Sequence, residues 1–303
     1  MLPIVYLKNT EIDIVKWNVC ITKAANALPY AYSWYLDIVA PNWEALVYGD
    51  YEVVMPLAYK TKLWQSYIFQ PAWTQQLGIF SIHPLSQFLV HEFLRAIPPK
   101  FRWINMYLNE KNQFSITNFE VKVRFNYVLS LKKTYQQLYG QYNQNTRRNL
   151  KKAKANTVLN LQRQVSPETI CHFFRQHIGA KIPQLKTPQY EQIIKIMYAC
   201  IYRKIGWSIG VYGQYNELCA VGFFIESHGR IINILPATNE EGRKTRAMFL
   251  IIDDIIKKYA NGHILFDFEG SMVESIARFY QGFGAKAVPY SHISQTIWQS
   301  KKR

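Results

Sequence analysis

The chain has 303 residues and a mass of 35.6 kDa, enough for one large domain or two ordinary ones. Hydrophobic residues make up 49%, aromatic residues 15% and charged residues 18%, which excludes a disordered, collagen-like or coiled-coil chain. Lys and Arg outnumber Asp and Glu by 36 to 20, a formal charge of +16, so the expected partner is anionic: a phosphate-bearing cofactor, a nucleic acid or an anionic membrane.

In chain order, Lys8, Glu11, Asp13 and Lys16 interrupt the first apolar stretches. That argues against a secretory signal, and no run of about 18 apolar residues is present to span a bilayer. Trp43 to Tyr48 is a strand-forming run. The amide-rich segment Gln70, Trp73, Thr74, Gln75 and Gln76 follows a buried strand and is expected to line an acceptor cleft. A helix starts near Pro84, and Trp103 to Leu108 is again apolar. The segment Asn145 to Ala155 is a basic helix with Arg147, Lys151 and Lys154 at i, i+4 and i+7, flanked by Arg148 and Lys152. Such crowded like charges are either a solvated face or a seat for a phosphate-bearing acceptor or a tRNA backbone.

Ser166 to Arg203 reads as two helices separated around Pro183 and Pro188. Trp207 to Tyr212, Leu218 to Glu226 and Arg230 to Leu235 read as three antiparallel strands. Arg246 to Tyr259 is an amphipathic helix with Met248, Ile251, Ile252, Ile255, Ile256 and Tyr259 on one stripe. His263 to Phe268 is a buried strand, Val273 to Gln281 a short helix stopped by Gly282 and Gly284, and His292 to Trp298 a closing strand. Cys20, Cys171, Cys200 and Cys219 are far apart, and the seven histidines form no set with ligand spacing. Free buried thiols in a reducing cytosol and no bound metal are therefore expected.

The chain repeats itself. WxxxVYGxY occurs at Trp43, Val47, Tyr48, Gly49 and Tyr51 and again at Trp207, Val211, Tyr212, Gly213 and Tyr215, an offset of 164. Phe119 and Lys122 recur at the same offset as Phe283 and Lys286, and Pro71-Ala72 recurs as Pro236-Ala237 one residue further on. A constant register across most of each half marks a duplicated domain, with expected units 1–133 and 134–303.

The element order of each copy resembles the GNAT acyltransferase fold, and the tandem resembles the Fem-type peptidoglycan-bridge aminoacyltransferases. Asn145 to Ala153 is similar to the basic RxNIKKA helix of that family. Phe266 to Gly270 followed by Phe279 to Gly284 is similar to its DxxG … FKxGFG ending, with Tyr280 where the family carries Lys. The resemblance implies an α/β (α+β) protein of two tandem GNAT-like domains, each a mixed, mostly antiparallel sheet flanked by helices.

It also implies a site. The family's fold places a coenzyme A pyrophosphate at the segment Gly242, Arg243, Lys244, Thr245, Arg246 and Ala247, where a helix start and three cations suit phosphate. No cation occupies the corresponding first-copy segment Thr74 to Gly78. Backbone amides at Leu235, Pro236 and Ala237 are expected along the acyl carbonyl. Asp267 and Glu269, two apart on a strand, are candidates for the base that takes a proton from an attacking amine, or Asp267 is a structural partner of a cation or of Ser271. Tyr280 is a candidate acid for a leaving thiolate. The expected function is transfer of an activated acyl group, from acetyl-CoA or another acyl-CoA, to a small-molecule or peptide amine in the cytoplasm. The alternatives are a Fem-like transfer from aminoacyl-tRNA to a cell-wall precursor, with tRNA the less favoured partner, and a non-catalytic binding protein on the same fold.

Overall fold

A computed structural model describes residues 2–115, 118–270 and 272–296. The chain divides into two compact units, Met1–Arg124 with Pro289–Arg303, and Phe125–Val288. This division differs from the expected cut at 133/134, and the strand exchange described below is the reason.

The first unit runs β1 (Ile4–Leu7), α1 (Ile14–Lys23), α2 (Ser33–Val39), β2 (Glu44–Tyr48), β3 (Val53–Leu57), β4 (Tyr59–Lys62), β5 (Gln65–Ile68), β6 (Phe80–Ser81), α3 (Gln87–Arg95) and β7 (Phe101–Tyr107). Asp13 and Ser86 cap α1 and α3 through their side-chain oxygens. Strands β1, β2, β3 and β6 form one antiparallel sheet. β4 and β5 form a hairpin, and β5 lies parallel to β7. Leu46, Met55, Phe93, Ile104 and Ile293 are among the buried residues of its core.

The chain continues through β8 (Glu120–Ser130), α4 (Tyr135–Gln141), α5 (Gln144–Ala155), β9 (Asn160–Arg163), α6 (Pro167–His177), α7 (Thr187–Tyr202), β10 (Gly206–Tyr212), β11 (Leu218–Ser227), β12 (Arg230–Asn233), β13 (Ala237–Thr238), α8 (Glu240–Thr245), α9 (Ala247–Tyr259), β14 (Leu265–Asp267), α10 (Glu274–Gly282) and β15 (Lys286–Thr296). In the second unit the strand order is β8-β14-β12-β11-β10-β9, with β13 also on β11. Only the β12–β14 pair is parallel. Ile251, Ile252, Ile255 and Ile256 of α9 are fully buried against this sheet, the stripe that the 3.6-residue period predicts.

The duplication is visible in the pairing. The parallel register Ser66↔Phe101 in the first unit reappears as Arg230↔Leu265 in the second, both partners displaced by 164. The repeated glycines differ: Gly49 turns at φ +63 whereas Gly213 stays at ordinary φ, because its loop before β11 is one residue longer. The closing strand expected at 292–298 behaves differently from expectation. Within the first unit His292 to Thr296 of β15 pair with Tyr107 to Trp103 of β7. Within the second unit β14 pairs instead with Val128 to Ser130 of β8. The first unit is thus completed by a strand from the C-terminal end of the chain, and the second by the strand that precedes the expected cut; Trp298 lies outside the described residues.

Candidate active site

The second unit carries an opening in its sheet. β12 and β14 stay paired only from Arg230↔Leu265 to Ile232↔Asp267. Beyond that point β14 ends, while the neighbouring chain runs on through Asn233 to Pro236 into β13, which keeps to β11. The Ile234 N–H donates to Phe223 O at 3.1 Å, and Phe223 N–H donates back to Leu235 O at 3.4 Å. Among the described residues the Leu235 N–H meets no acceptor, and Pro236 has no N–H to donate. Asn233, 1% exposed, lies at the fork with its Oδ1 buried and unpartnered. A buried polar group left without partners costs stability, so an unspent N–H and an unspent Oδ1 make this strand fork the candidate ligand position. Leu235 and Ala237 were expected there. Asn233 was not, although a lone polar residue inside Ile231-Ile232-Asn233-Ile234-Leu235 is a readable signal.

The end of β14 brings the three acid–base candidates together but gives them different surroundings. Asp267 is 2% exposed. Its Oδ2 accepts from Arg230 Nη1 at 2.6 Å and Asn126 Nδ2 at 3.1 Å, and its Oδ1 accepts the Glu269 N–H at 2.8 Å. A carboxylate so occupied is a structural ion, the alternative weighed above, and it holds the turn that follows; Ser271 lies outside the described residues. Glu269 and Gly270 both sit at positive φ, +59 and +62. A Cβ at Gly270 would run into the Phe125 carbonyl, so only glycine fits there. The turn leaves Glu269 half-buried beyond the strand. Tyr280 is buried, its ring 4.7 Å from Phe268 and 6.0 Å from Tyr127. Burial first, then the charges of Glu269 and Asp267, push its phenol well above the ordinary tyrosine range. It therefore keeps its proton throughout the neutral range.

The segment after β13 is helical rather than an open loop. Asn239 caps α8 by accepting the Gly242 N–H at 2.7 Å, and Glu240 and Glu241 occupy its first turn. That end is already capped and acidic, so it does not seat a phosphate. Gly242 is buried so close to the Cys219 carbonyl that a Cβ there would collide with it. Lys244 pairs with Glu240 on the surface at 2.9 Å, and Thr245 Oγ1 donates to Glu241 O. Arg246 separates α8 from α9 at φ +66 and contributes no side-chain cap to α9. Arg243 donates to Thr238 O at 3.1 Å, and Arg246 donates to Arg243 O while its Nε is buried without a partner. The two arginines line a cavity of about 280 Å³ with Thr238, Gly242, Met248, Phe249 and Phe279. Ala247, the first residue of α9, is fully buried. The cations expected at this segment are thus present at the cavity as Arg243 and Arg246, and Lys244 is turned to Glu240.

The other expected substrate residues are placed as follows. In the first unit Gln70 Nε2 donates to Thr74 O at 2.7 Å, and its Oε1 accepts the Tyr107 N–H at 2.8 Å. Gln76, 1% exposed, accepts the Glu110 N–H at 2.9 Å and donates to Gln75 Oε1 at 2.7 Å. Thr74 Oγ1 faces Ala72 O, and Trp73 at φ +62 offers its carbonyl to the Tyr35 hydroxyl. These amides tie their loop to itself and to the end of β7 and the residues after it. In the second unit Arg147 Nε donates to Tyr142 O at 2.8 Å and Arg148 to Asn145 Oδ1 at 3.0 Å, leaving Lys151 exposed on α5. Lys154 pairs with the buried Asp253 at 2.7 Å, so the basic stripe is shorter than its spacing implies.

No described protein family and no curated protein matches this sequence. Solved structures do resemble it. FemX covers 93% of this chain and 96% of its own at 10% identity, with a TM-score of 0.65. L-PGS from Bacillus licheniformis covers 95% and 93% at 10% identity and TM-score 0.53. A tandem GNAT protein from the clavulanic acid biosynthesis pathway covers 96% and 98% at 8% identity and TM-score 0.52. The fold is the tandem GNAT arrangement of Fem-like proteins.

Proposed function

We propose that the second unit transfers an activated acyl group to an amine, with an acyl-CoA as donor. One observation carries this reading: the fork between β12 and β14, where the Leu235 N–H and the Asn233 Oδ1 have no partner among the described residues. An acyl carbonyl inserted beside β12 gives the Leu235 N–H an acceptor, and that donor then stabilises the oxyanion as the amine adds. The amine nitrogen forms the new C–N bond and the C–S bond breaks. Glu269 takes the ammonium proton, and the leaving thiolate receives a proton from solvent or from Tyr280, whose raised affinity for its own proton favours solvent. Holding donor and amine together supplies much of the rate. Arg243 and Arg246 meet the donor's phosphates, and Met248, Phe249 and Phe279 meet its apolar arm. The likeness of fold to FemX and L-PGS is in keeping with a transferase reading.

Calorimetry on the full chain tests this. Acetyl-CoA or a longer acyl-CoA binds, and Arg243→Ala weakens the binding by about 1–3 kcal/mol, the range for hydrogen bonds to charged groups. Glu269→Gln lowers thiol release without lowering that affinity. Absence of affinity for every acyl-CoA, with tight preference for charged over uncharged tRNA, would replace this donor by aminoacyl-tRNA.

A further inference from the structure

The hairpin of the first unit ends in the two most exposed large apolar side chains of its neighbourhood, Leu63 at 81% and Trp64 at 98%. Lys62 pairs with Gln65, so these two residues are the whole turn. Both have positive φ, +48 and +65, the two-residue turn for which Asn-Gly is the favoured sequence. Leucine and tryptophan there carry a steric penalty that Asn and Gly avoid. Apolar surface given to water on a sterically penalised turn serves no folding purpose, and such outliers concentrate where a segment meets a ligand.

The flanking residues identify the chemistry. Strand alternation puts Lys60 and Lys62 on one face, with Tyr67 directly opposite Lys60. Tyr67 stands 6.4 Å from the ring of Trp103, itself 41% exposed, and Lys60 Nζ lies 4.3 Å over Phe69. Neither lysine forms an ion pair among the described residues. β4 is the terminal strand of its sheet order, so nothing in the sheet covers this side of the hairpin. A Leu-Trp tip below a belt of tyrosine, tryptophan and lysine matches the boundary of a bilayer, where indole and phenol rings sit at headgroup level and lysines reach back to phosphate. A single-stranded nucleic acid would use only the rings as stacking faces, whereas the aliphatic Leu63 at the tip suits an acyl phase.

We propose that this hairpin docks the protein on an anionic lipid surface, with Leu63 and Trp64 entering the headgroup–acyl boundary and Lys60 and Lys62 meeting lipid phosphates. The test is sedimentation of the full chain with vesicles of equal parts phosphatidylcholine and phosphatidylglycerol, against phosphatidylcholine alone. The chain should bind the mixed vesicles preferentially, and more weakly as salt is added. Lys60→Ala and Lys62→Ala should each weaken binding about fivefold. The paired change Leu63→Asn with Trp64→Gly should abolish binding and at the same time raise the melting temperature, since it installs the favoured turn. Unchanged vesicle binding by that variant overturns the proposal. So does failure of the native chain to bind the mixed vesicles, or a tip variant that loses only tRNA retention or only self-association.

Discussion

Asp267 and Glu269 share a strand end and a charge, and their neighbours separate them. Asp267 is closed in by Arg230, Asn126 and the Glu269 amide, whereas Glu269 is carried out on a left-handed turn. Removing Arg230 leaves a carboxylate that is 3% exposed without its cation. Arg230→Ala should therefore cost about 3–5 kcal/mol, the range for breaking a buried pair from one side, measured as a lower urea midpoint. Glu269→Gln, at a half-buried position and without loss of a buried cation, should lower that midpoint by less than Arg230→Ala does. At this scale the sequence was informative about position and less so about role. Two acidic residues at the end of an apolar strand are legible. Which of them is spent on an ion pair depends on Arg230, 37 residues away in the chain, and no local pattern reveals it.

The elements around the donor cavity show a similar limit. A basic segment with a glycine reads equally as a phosphate loop and as a short helix, and the deciding residue is Asn239, whose cap starts α8. The amide-rich segment of the first unit looked like a ligand surface because amides are versatile, yet Gln70 and Gln76 spend theirs on nearby backbone. By contrast, α6, α7 and α9 were legible, since apolar period, Ser166-Pro167, Pro183 before α7 and Pro188 in its first turn all act locally. The junction of α8 and α9 gives a prediction. Arg246 holds φ +66 there, a conformation that costs a non-glycine residue roughly 1 kcal/mol. Arg246→Gly should therefore be more stable than Arg246→Ala by about 1 kcal/mol, seen as a higher unfolding temperature, the reverse of ordinary helix propensity. Both should lose donor affinity in calorimetry. A glycine variant less stable than the alanine one would mean that the turn is not strained.

At the scale of the whole chain, the repeat offset of 164 was enough to find two halves but not their membership. Strand pairing depends on edges and apolar faces, and these look alike whichever sheet a strand joins. Within the second unit β14 is covered by Val128 to Ser130, and Tyr127, Leu129 and Leu131 are buried in its core. A cut at the apparent repeat boundary removes all three side chains and bares the edge of β14. Burial of such residues contributes about 1.5–3 kcal/mol each, so together they approach the whole stability of an ordinary domain, roughly 5–15 kcal/mol. The fragment 134–303 should therefore be poorly soluble and lack a cooperative urea transition, its open edge inviting aggregation. The fragment 125–288, shorter at its C-terminal end but holding the complete second unit, should unfold in one cooperative step by circular dichroism. Equal behaviour of the two fragments would show that residues 125–133 are dispensable and that the repeat boundary, not the strand exchange, delimits the folding unit.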